Sequence, residues 1–424
     1  MKISRQKGTK DIFGEDIKIW QYIEEKIREI CLVYNIEEIR TPVFEATELY
    51  ARGVGDDTDV VNKEMYTFLD KGGRSITLRP ELTAGVVRAY IENGMSSMSS
   101  PVKLWYEANM YRYEKMQKGR YREFAQFGVE FFGSKSYLAD IECIMLAYEL
   151  FEKLGLKDDI LLTINSIGCV DCRRKYIEAL KDFIRPNLDG MCDTCRTRFE
   201  KNPLRILDCK EEKCQRILKD APMITDYLCE ECNKDFEDLK STLNDLGVKY
   251  EIDKKIVRGL DYYNKTVFEF VSKDLGLTVC GGGRYDKLIE TLDGPATPAV
   301  GFGLGMDRLV IVLKEIEQRK QKENGYKNIF EENVDIFFAV LDNKNYAYAR
   351  KVITALRDRG LKVEIDINDR SFNGKMKYAN KINANYVCII GEDEKAQNKC
   401  LIKNMKTGEQ KSINFNEAEI IMAL

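Results

Sequence analysis

The stretch MYRYEKMQKGRYREFAQFGVEFFG, Met110–Gly133, decides how the chain is read. It opens with alternation: Met110, Arg112 and Glu114 on one face, Tyr111 and Tyr113 on the other, the period of a β-strand. A basic break containing a glycine follows at Lys115–Arg122. A second apolar run, Phe124–Phe132, carries Gln126, Gly128 and Glu130 at period two. The simplest reading is an antiparallel hairpin with a cationic loop. Its polar face gathers Arg112, Glu114, Gln126 and Glu130. Such a face is either open to water or lines a site.

The totals set bounds. A chain of 424 residues, 44% of them hydrophobic, has room for two or three domains. A net charge of −3 leaves nucleic-acid contacts to local patches. The opening MKISRQKGTKDIFG has no apolar run, and no stretch is long enough to span a bilayer. A cytoplasmic protein with no membrane partner is expected. Thirteen cysteines in that setting point to thiols or metal rather than disulfides. Histidine is absent. That removes the commonest acid–base residue and every nucleophile–His pair. Chemistry here runs on arginine, carboxylates, tyrosine, lysine, cysteine or metal.

Outward from the hairpin, Asp16–Tyr34 reads as an amphipathic helix and Ile36–Arg40 as a short strand. Glu48–Glu64, polar with two glycines, reads as a loop. Met65–Phe68 and Ser75–Leu78 flank a turn, Thr83–Glu92 is helical, and Tyr137–Leu154 is a second amphipathic helix. Between Cys169 and Cys232 lie eight of the cysteines, as CVDC, CDTC, CKEEKC and CEEC. Cys169, Cys172, Cys192 and Cys195 form two CxxC pairs at a spacing that fits a structural zinc. Free thiols fit it too. From Val334 the pattern becomes strand–helix alternation ending in a hairpin at Lys399–Phe415, a separate α/β domain. Its Arg370, Lys375 and Lys377 form either a basic patch or a solvated helix face. The expected division is 1–166 and 251–320 for one core, 167–250 for a Cys-rich insertion, 321–332 for a linker and 333–424 for the last domain.

YRYE at Tyr111–Glu114, with QKGRYREF and QFGVE after it, resembles motif 2 of class II aminoacyl-tRNA synthetases in its histidyl-tRNA synthetase form. EIRTPVFE resembles motif 1, and PAVGFGLGMDRLVIVL resembles motif 3. RPELTA at Arg79–Ala84 resembles the family's amino-acid loop. RGLDYY at Arg258–Tyr263 and GGRYD at Gly282–Asp286 are similar to two further signatures of that family. The resemblance implies an α+β fold: an antiparallel-sheet catalytic core with a helical insertion, plus a C-terminal α/β anticodon-binding domain. It implies ATP-dependent activation of histidine to histidyl-adenylate and transfer to the 3′ end of tRNA(His). It also implies Mg2+ and a homodimer built through Asp16–Arg40.

Carried over residue by residue, Arg112 and Arg258 would clamp the α-phosphate as the catalytic pair. Arg308 would hold the γ-phosphate and Glu114 would face the adenine side of ATP. Glu81, Thr83 and Gln126 would take the α-amino group of histidine, and Glu130 and Tyr263, beside Tyr262, its imidazole. Lys115–Arg122 would touch the acceptor end of the tRNA. A non-charging relative of another class, the ATP phosphoribosyltransferase regulatory subunit, keeps the core and lacks the C-terminal domain. Arg112, Arg258, Arg308 and residues 333–424 favour the ligase. A general RNA-binding protein has no stacking motif behind it. The chain departs from the family at Leu82, where glycine is usual, and at Ala125, where histidine is. If Leu82 requires a positive backbone angle, strain falls on the amino-acid loop and histidine affinity suffers. If it packs inward, it serves the core instead.

Overall fold

The computed structural model describes residues 3–55, 58–207, 209–253, 256, 262–324 and 333–424. The chain divides into two compact units, Met1–Tyr326 and Lys327–Leu424.

The first unit carries strands β1 (Glu37–Glu38), β2 (Phe44–Ala46), β3 (Tyr66–Leu69), β4 (Ser75–Leu78), β5 (Val102–Tyr111), β6 (Glu123–Phe132), β7 (Ile160–Ser166), β8 (Tyr250–Ile252), β9 (Asn264–Ser272), β10 (Thr278–Arg284) and β11 (Ala299–Gly305). Its helices are α1 (Glu15–Val33), α2 (Thr47–Val54), α3 (Thr83–Glu92), α4 (Tyr137–Lys153), α5 (Val170–Ile184), α6 (Asp193–Lys201), α7 (Glu212–Ile217), α8 (Glu230–Asp245), α9 (Leu288–Thr291) and α10 (Met306–Asn324). Eight strands form one sheet in the order β1-β5-β6-β11-β10-β9-β7-β8. Its central pairings, from β5 to β7, are all antiparallel. Helices α4 and α10 pack on it. α5 to α8 stand between β7 and β8 as the helical insertion. β2, β4 and β3 make a small separate sheet.

The decisive hairpin is β5–β6, with Tyr111 opposite Glu123 and Val102 opposite Phe132. It starts eight residues before Met110. Only Asn109 of VKLWYEANMY is exposed, so the strand lacks the alternation that marks a half-exposed one. Arg112 and Glu114 lie past the end of β5, on the loop rather than the sheet face. Glu48–Glu64 is also not the expected loop. Apart from Thr47 it holds all of α2, which buries Leu49, Tyr50 and Val54, and a π-helical turn at Val60–Glu64. The apolar spacing of that segment was hidden by its polar composition.

The second unit is a five-stranded sheet of β12 (Val334–Val340), β13 (Val363–Ile365), β14 (Ala384–Ile390), β15 (Lys399–Asn404) and β16 (Gln410–Asn414), ordered β13-β12-β14-β15-β16. The first three strands are parallel, and the last two form the expected hairpin. Arg370 and Lys375 do not make a basic patch with Lys377. Lys375 is buried, its ammonium 3.3 Å from Asp366, and Arg370 is paired to the same carboxylate. Lys377 alone of the three is exposed.

Candidate functional site

Strand register builds the floor of the site. Gly128 on β6, Gly303 on β11 and Gly281 on β10 lie abreast, and Gly301 pairs with Gly283 one row along. Residues two apart on a strand share a face, so Gln126, Gly128 and Glu130 point to this floor and Ala125, Phe127 and Val129 to the other side. The missing side chains are used. A Cβ at Gly301 would collide with the Glu130 carboxylate, and one at Gly128 with the Tyr106 ring. A Cβ at Gly303 would meet nothing nearer than Gln126, at 3.8 Å. Flat backbone is therefore open beside Gln126, a surface on which a planar ring can lie.

Glu130 is the centre of the pocket. It is 1% exposed, and three hydroxyls donate to it. Thr83 donates to Oε1 at 2.7 Å, Tyr106 to the same oxygen at 3.2 Å, and Tyr285 to Oε2. Burial pushes its carboxyl up to about 8 despite those bonds. Tyr285 also meets Tyr262 edge to face at 5.5 Å and Tyr263 at 6.4 Å. Arg173 donates to the backbone carbonyl of Tyr263. Glu81 is buried at the start of α3; its Oε1 accepts from the Ala84 amide at 3.0 Å, while Oε2 has no hydrogen-bond partner among the described residues. Burial raises the Glu81 pKa as well. A buried oxygen left open in this way is costly unless a ligand donor reaches it.

A second group is cationic. Arg112 donates from Nε to the Pro80 carbonyl at 2.7 Å, which ties the hairpin loop to the RPELTA loop. Glu114 lies 3.6 Å from Arg112 and 3.3 Å from Arg120. Arg308 donates to the carbonyls of Gly119 at 3.3 Å and Thr278 at 2.7 Å. Burial, with the Arg120 charge, holds the Arg308 pKa below its ordinary value. Arg112, Arg120 and Arg308 gather here with the carboxylates Glu114, Glu64 and Glu269 near them, a set of guanidiniums of the kind that binds oxyanions.

Glu81, Thr83, Glu130, Tyr262 and Tyr263 come together, with Gln126 on the same floor; Arg112, Glu114 and Arg308 form the cationic group. Arg258 lies outside the described residues. Tyr106 and Tyr285 were missed. Tyr285 stood in the quoted GGRYD, but only the fold shows its hydroxyl on Glu130. Arg284 of that motif faces away, buried against Asp140 at 2.7 Å. Leu82 has φ −112°, so no positive angle strains it, and it is buried in the core with Val86 and Val87. Ala125 is on the opposite face from Gln126, its amide donating to Asp307 at 3.0 Å. The four cysteines Cys169, Cys172, Cys192 and Cys195 are not one cluster. Cys169 and Cys172 join Cys229 and Cys232, while Cys192 and Cys195 join Cys209 and Cys214.

A sequence model of histidyl-tRNA synthetase matches residues 8–309, and one of the anticodon-binding domain matches 335–422. The chain belongs to the histidyl-tRNA synthetase family. The histidine–tRNA ligase of Acetivibrio thermocellus is 53% identical to it, covering 97% of each chain. That of Clostridium perfringens strain SM101 is 52% identical over 99% of each. Crystalline apo S. aureus histidyl-tRNA synthetase is 39% identical, with a TM-score of 0.79 over 97% of both chains. Full-length membership makes the chain an aminoacyl-tRNA ligase with a class II core and an anticodon-binding domain. No helix among the described residues is long and apolar enough to cross a membrane.

Proposed function

We propose that the chain condenses histidine with ATP to histidyl-adenylate on the glycine floor and passes the histidyl group to the 3′ end of tRNA(His). The observation that carries this is Glu130, a buried carboxylate surrounded by hydroxyls and, among the described residues, paired with no cation. Such a group waits for a polar ligand. Imidazole suits it, with Glu130 on one ring nitrogen and the Tyr262–Tyr263 side on the other. Glu81 Oε2, with Thr83 and Gln126 nearby, takes the α-amino group. The amino-acid carboxylate is its own nucleophile, so the protein supplies position and positive charge. Arg112 and Arg258 take the α-phosphate, Arg308 the γ-phosphate, and Glu114 the adenine side. Mg2+ would enter with ATP and supply neutralisation of phosphate charge beside the arginine group. The open backbone at Gly303 fits a flat ring, and the arginine group fits the polyphosphate. Lys115–Arg122 contacts the acceptor end, and residues 333–424 contact the anticodon. The reaction belongs in the cytoplasm with the rest of translation.

The proposed division keeps 1–166 and 251–320 as the catalytic core, 167–250 as its insertion and 321–332 as a linker. The assembly is a homodimer. In the Asp16–Arg40 region, α1 buries its apolar face, including Ile19, Ile23 and Ile27, within the chain. Strand register, however, puts Phe44, Ala46, Ile76, Leu78, Tyr66 and Phe68 on one face of the small sheet. Phe44 and Phe68 are about half exposed. A second copy covers such a face, and light scattering that shows a monomer at micromolar concentration refutes it. The activity is tested by exchange of labelled pyrophosphate into ATP. Exchange that depends on histidine supports the reading; exchange with no such dependence, or none at all in folded protein, rejects it.

A further inference from the structure

We propose that the insertion holds two zinc ions in nested tetrathiolate sites. The outer site is Cys169, Cys172, Cys229 and Cys232; the inner is Cys192, Cys195, Cys209 and Cys214. The proposal stands apart from the ligase reaction, because none of these cysteines lies in the pocket described above.

Geometry defines the partition. Within each set the four sulfurs all lie within 4.8 Å of one another. Cys169 and Cys172 sulfurs are 3.5 Å apart, and those of Cys192 and Cys209 are 3.8 Å apart. Four thiolates at about 2.3 Å from one tetrahedral ion stand about 3.8 Å from each other. Disulfides need about 2.05 Å, and all eight cysteines are free. An iron–sulfur cluster spreads its cysteines more widely than a single ion does.

Local structure prepares the thiolates. Cys169, Cys192 and Cys229 each precede the first residue of a helix, α5, α6 and α8, and Cys172, Cys195 and Cys232 fall in the following turn. The positive end of a helix favours the anionic sulfur. Backbone amides add to this. The Cys229 N–H donates to Cys172 Sγ at 3.0 Å, that of Cys192 to Cys214 Sγ at 3.3 Å, and that of Cys195 to Cys192 Sγ at 3.4 Å. Gly168, at φ +63°, leaves the space into which Cys172 packs. Among the described residues no carboxylate belongs to either cluster. An all-sulfur, four-coordinate set selects zinc in a structural role.

The topology explains why the chain would need them. α6 and α7 are short, with 9 and 6 residues, and short single-turn helices link them to their neighbours. Such pieces bury little apolar surface of their own. The outer ion ties the starts of α5 and α8 at the base of the insertion. The inner ion ties the start of α6 to the Cys209–Cys214 bend. Binding each ion displaces the thiol protons, up to four per site, and leaves a dianionic centre.

Metal analysis of the full chain, purified without a polyhistidine tag, tests the stoichiometry and the partition together. The wild type should carry two zinc ions. Cys169→Ser with Cys232→Ser should leave one, and Cys169→Ser with Cys192→Ser should leave none. Pairing in sequence order, with Cys169 to Cys195 as one site and Cys209 to Cys232 as the other, reverses those two results, and that reversal overturns the proposal. Fewer than two ions in folded wild type, or iron instead of zinc, also overturns it. Should the variants not fold, titrating the wild type with a mercurial in the presence of a chromogenic chelator gives the count directly. Eight thiols blocked as two zinc ions appear supports the sites; thiols blocked without zinc release rejects them.

Discussion

Adjacent residues of one strand end serve two buried carboxylates in opposite ways. Arg284 neutralises Asp140, donating from Nε at 3.0 Å and Nη2 at 2.7 Å, while Thr266 donates to the other oxygen at 3.0 Å. Tyr285, the next residue, offers Glu130 only a hydroxyl. Burial raises both pKa values, Asp140 to about 6 and Glu130 to about 8. The guanidinium beside Asp140 is the main opposing influence there, whereas hydroxyl hydrogen bonds are the opposing influences at Glu130. A buried carboxylate with its own cation is finished, and its place is structural. One held by hydroxyls alone retains an unspent electrostatic demand that a ligand can meet.

The largest effect should come from breaking the finished pair. Arg284→Met leaves Asp140 buried without a cation and should cost about 3–5 kcal/mol in denaturant unfolding. Arg284→Met with Asp140→Leu should recover part of that, since a hydrophobic pair of similar volume replaces a buried ion pair, while Asp286 and the carbonyls of Ser134 and Ser136 still lose their donor. If the double variant is as unstable as the single, the pair does more than neutralise itself. Glu130→Gln should do the reverse. It removes the demand instead of exposing it, so the melting temperature should hold or rise. Losing the carboxyl that can give up its proton to an imidazole partner should lower kcat/KM for histidine by roughly 10²–10³. Unchanged kinetics with a lower melting temperature would make Glu130 a structural residue like Asp140.

Leu82 extends the comparison to the loop beside the pocket. Its angle is negative and its side chain lies in the core, so the strain argument fails and the packing argument stands. Leu82→Gly should lower stability by about 2–3 kcal/mol through the cavity it leaves. KM for histidine should stay within a factor of about two. A rise in kcat/KM with unchanged stability would restore the strained-loop reading.

These cases show what a sequence carries. The motif stretches gave away the fold because each combines a period with punctuation: alternation at Phe124–Phe132, glycines before α10, the helical pattern of Asp16–Tyr34. The identities of Glu81, Thr83 and Glu130 came from resemblance, and their meeting point from register. Tyr106 could not be seen from sequence, because its place over Gly128 depends on which residues of β5 and β6 stand opposite. The cysteines failed for the same reason in stronger form. Spacing along the chain joined Cys172 to Cys192, whereas the fold joins Cys172 to Cys229, 57 residues away. Proximity in sequence is a guide only where the chain between is too short to leave and return.

The smallest expected effect, and the most diagnostic, is the pH dependence of stability in the absence of ligand. Glu130 ordinarily titrates near 4.5 and is held at about 8 when folded. Between those values the folded chain binds more protons at this site than the unfolded chain does. Its contribution to stability is therefore complete below about pH 4.5 and lost as pH rises through about 8, the opposite of an ion-paired carboxylate. The slope from one group is at most about 1.4 kcal/mol per pH unit. Asp140 acts in the same direction but ends near pH 6, and Glu107, which burial raises to about 7, ends there. Toward pH 8 the slope comes mainly from Glu130 among these three, with Glu107 still contributing near pH 7. Melting curves of wild type and Glu130→Gln across pH 5–8 should diverge, with the wild type losing stability faster and Glu107→Gln changing the slope near pH 8 less than Glu130→Gln does. Parallel curves for wild type and Glu130→Gln mean that Glu130 is already ionised in the folded chain. A cation must then lie beside it, and the contrast with Asp140 disappears.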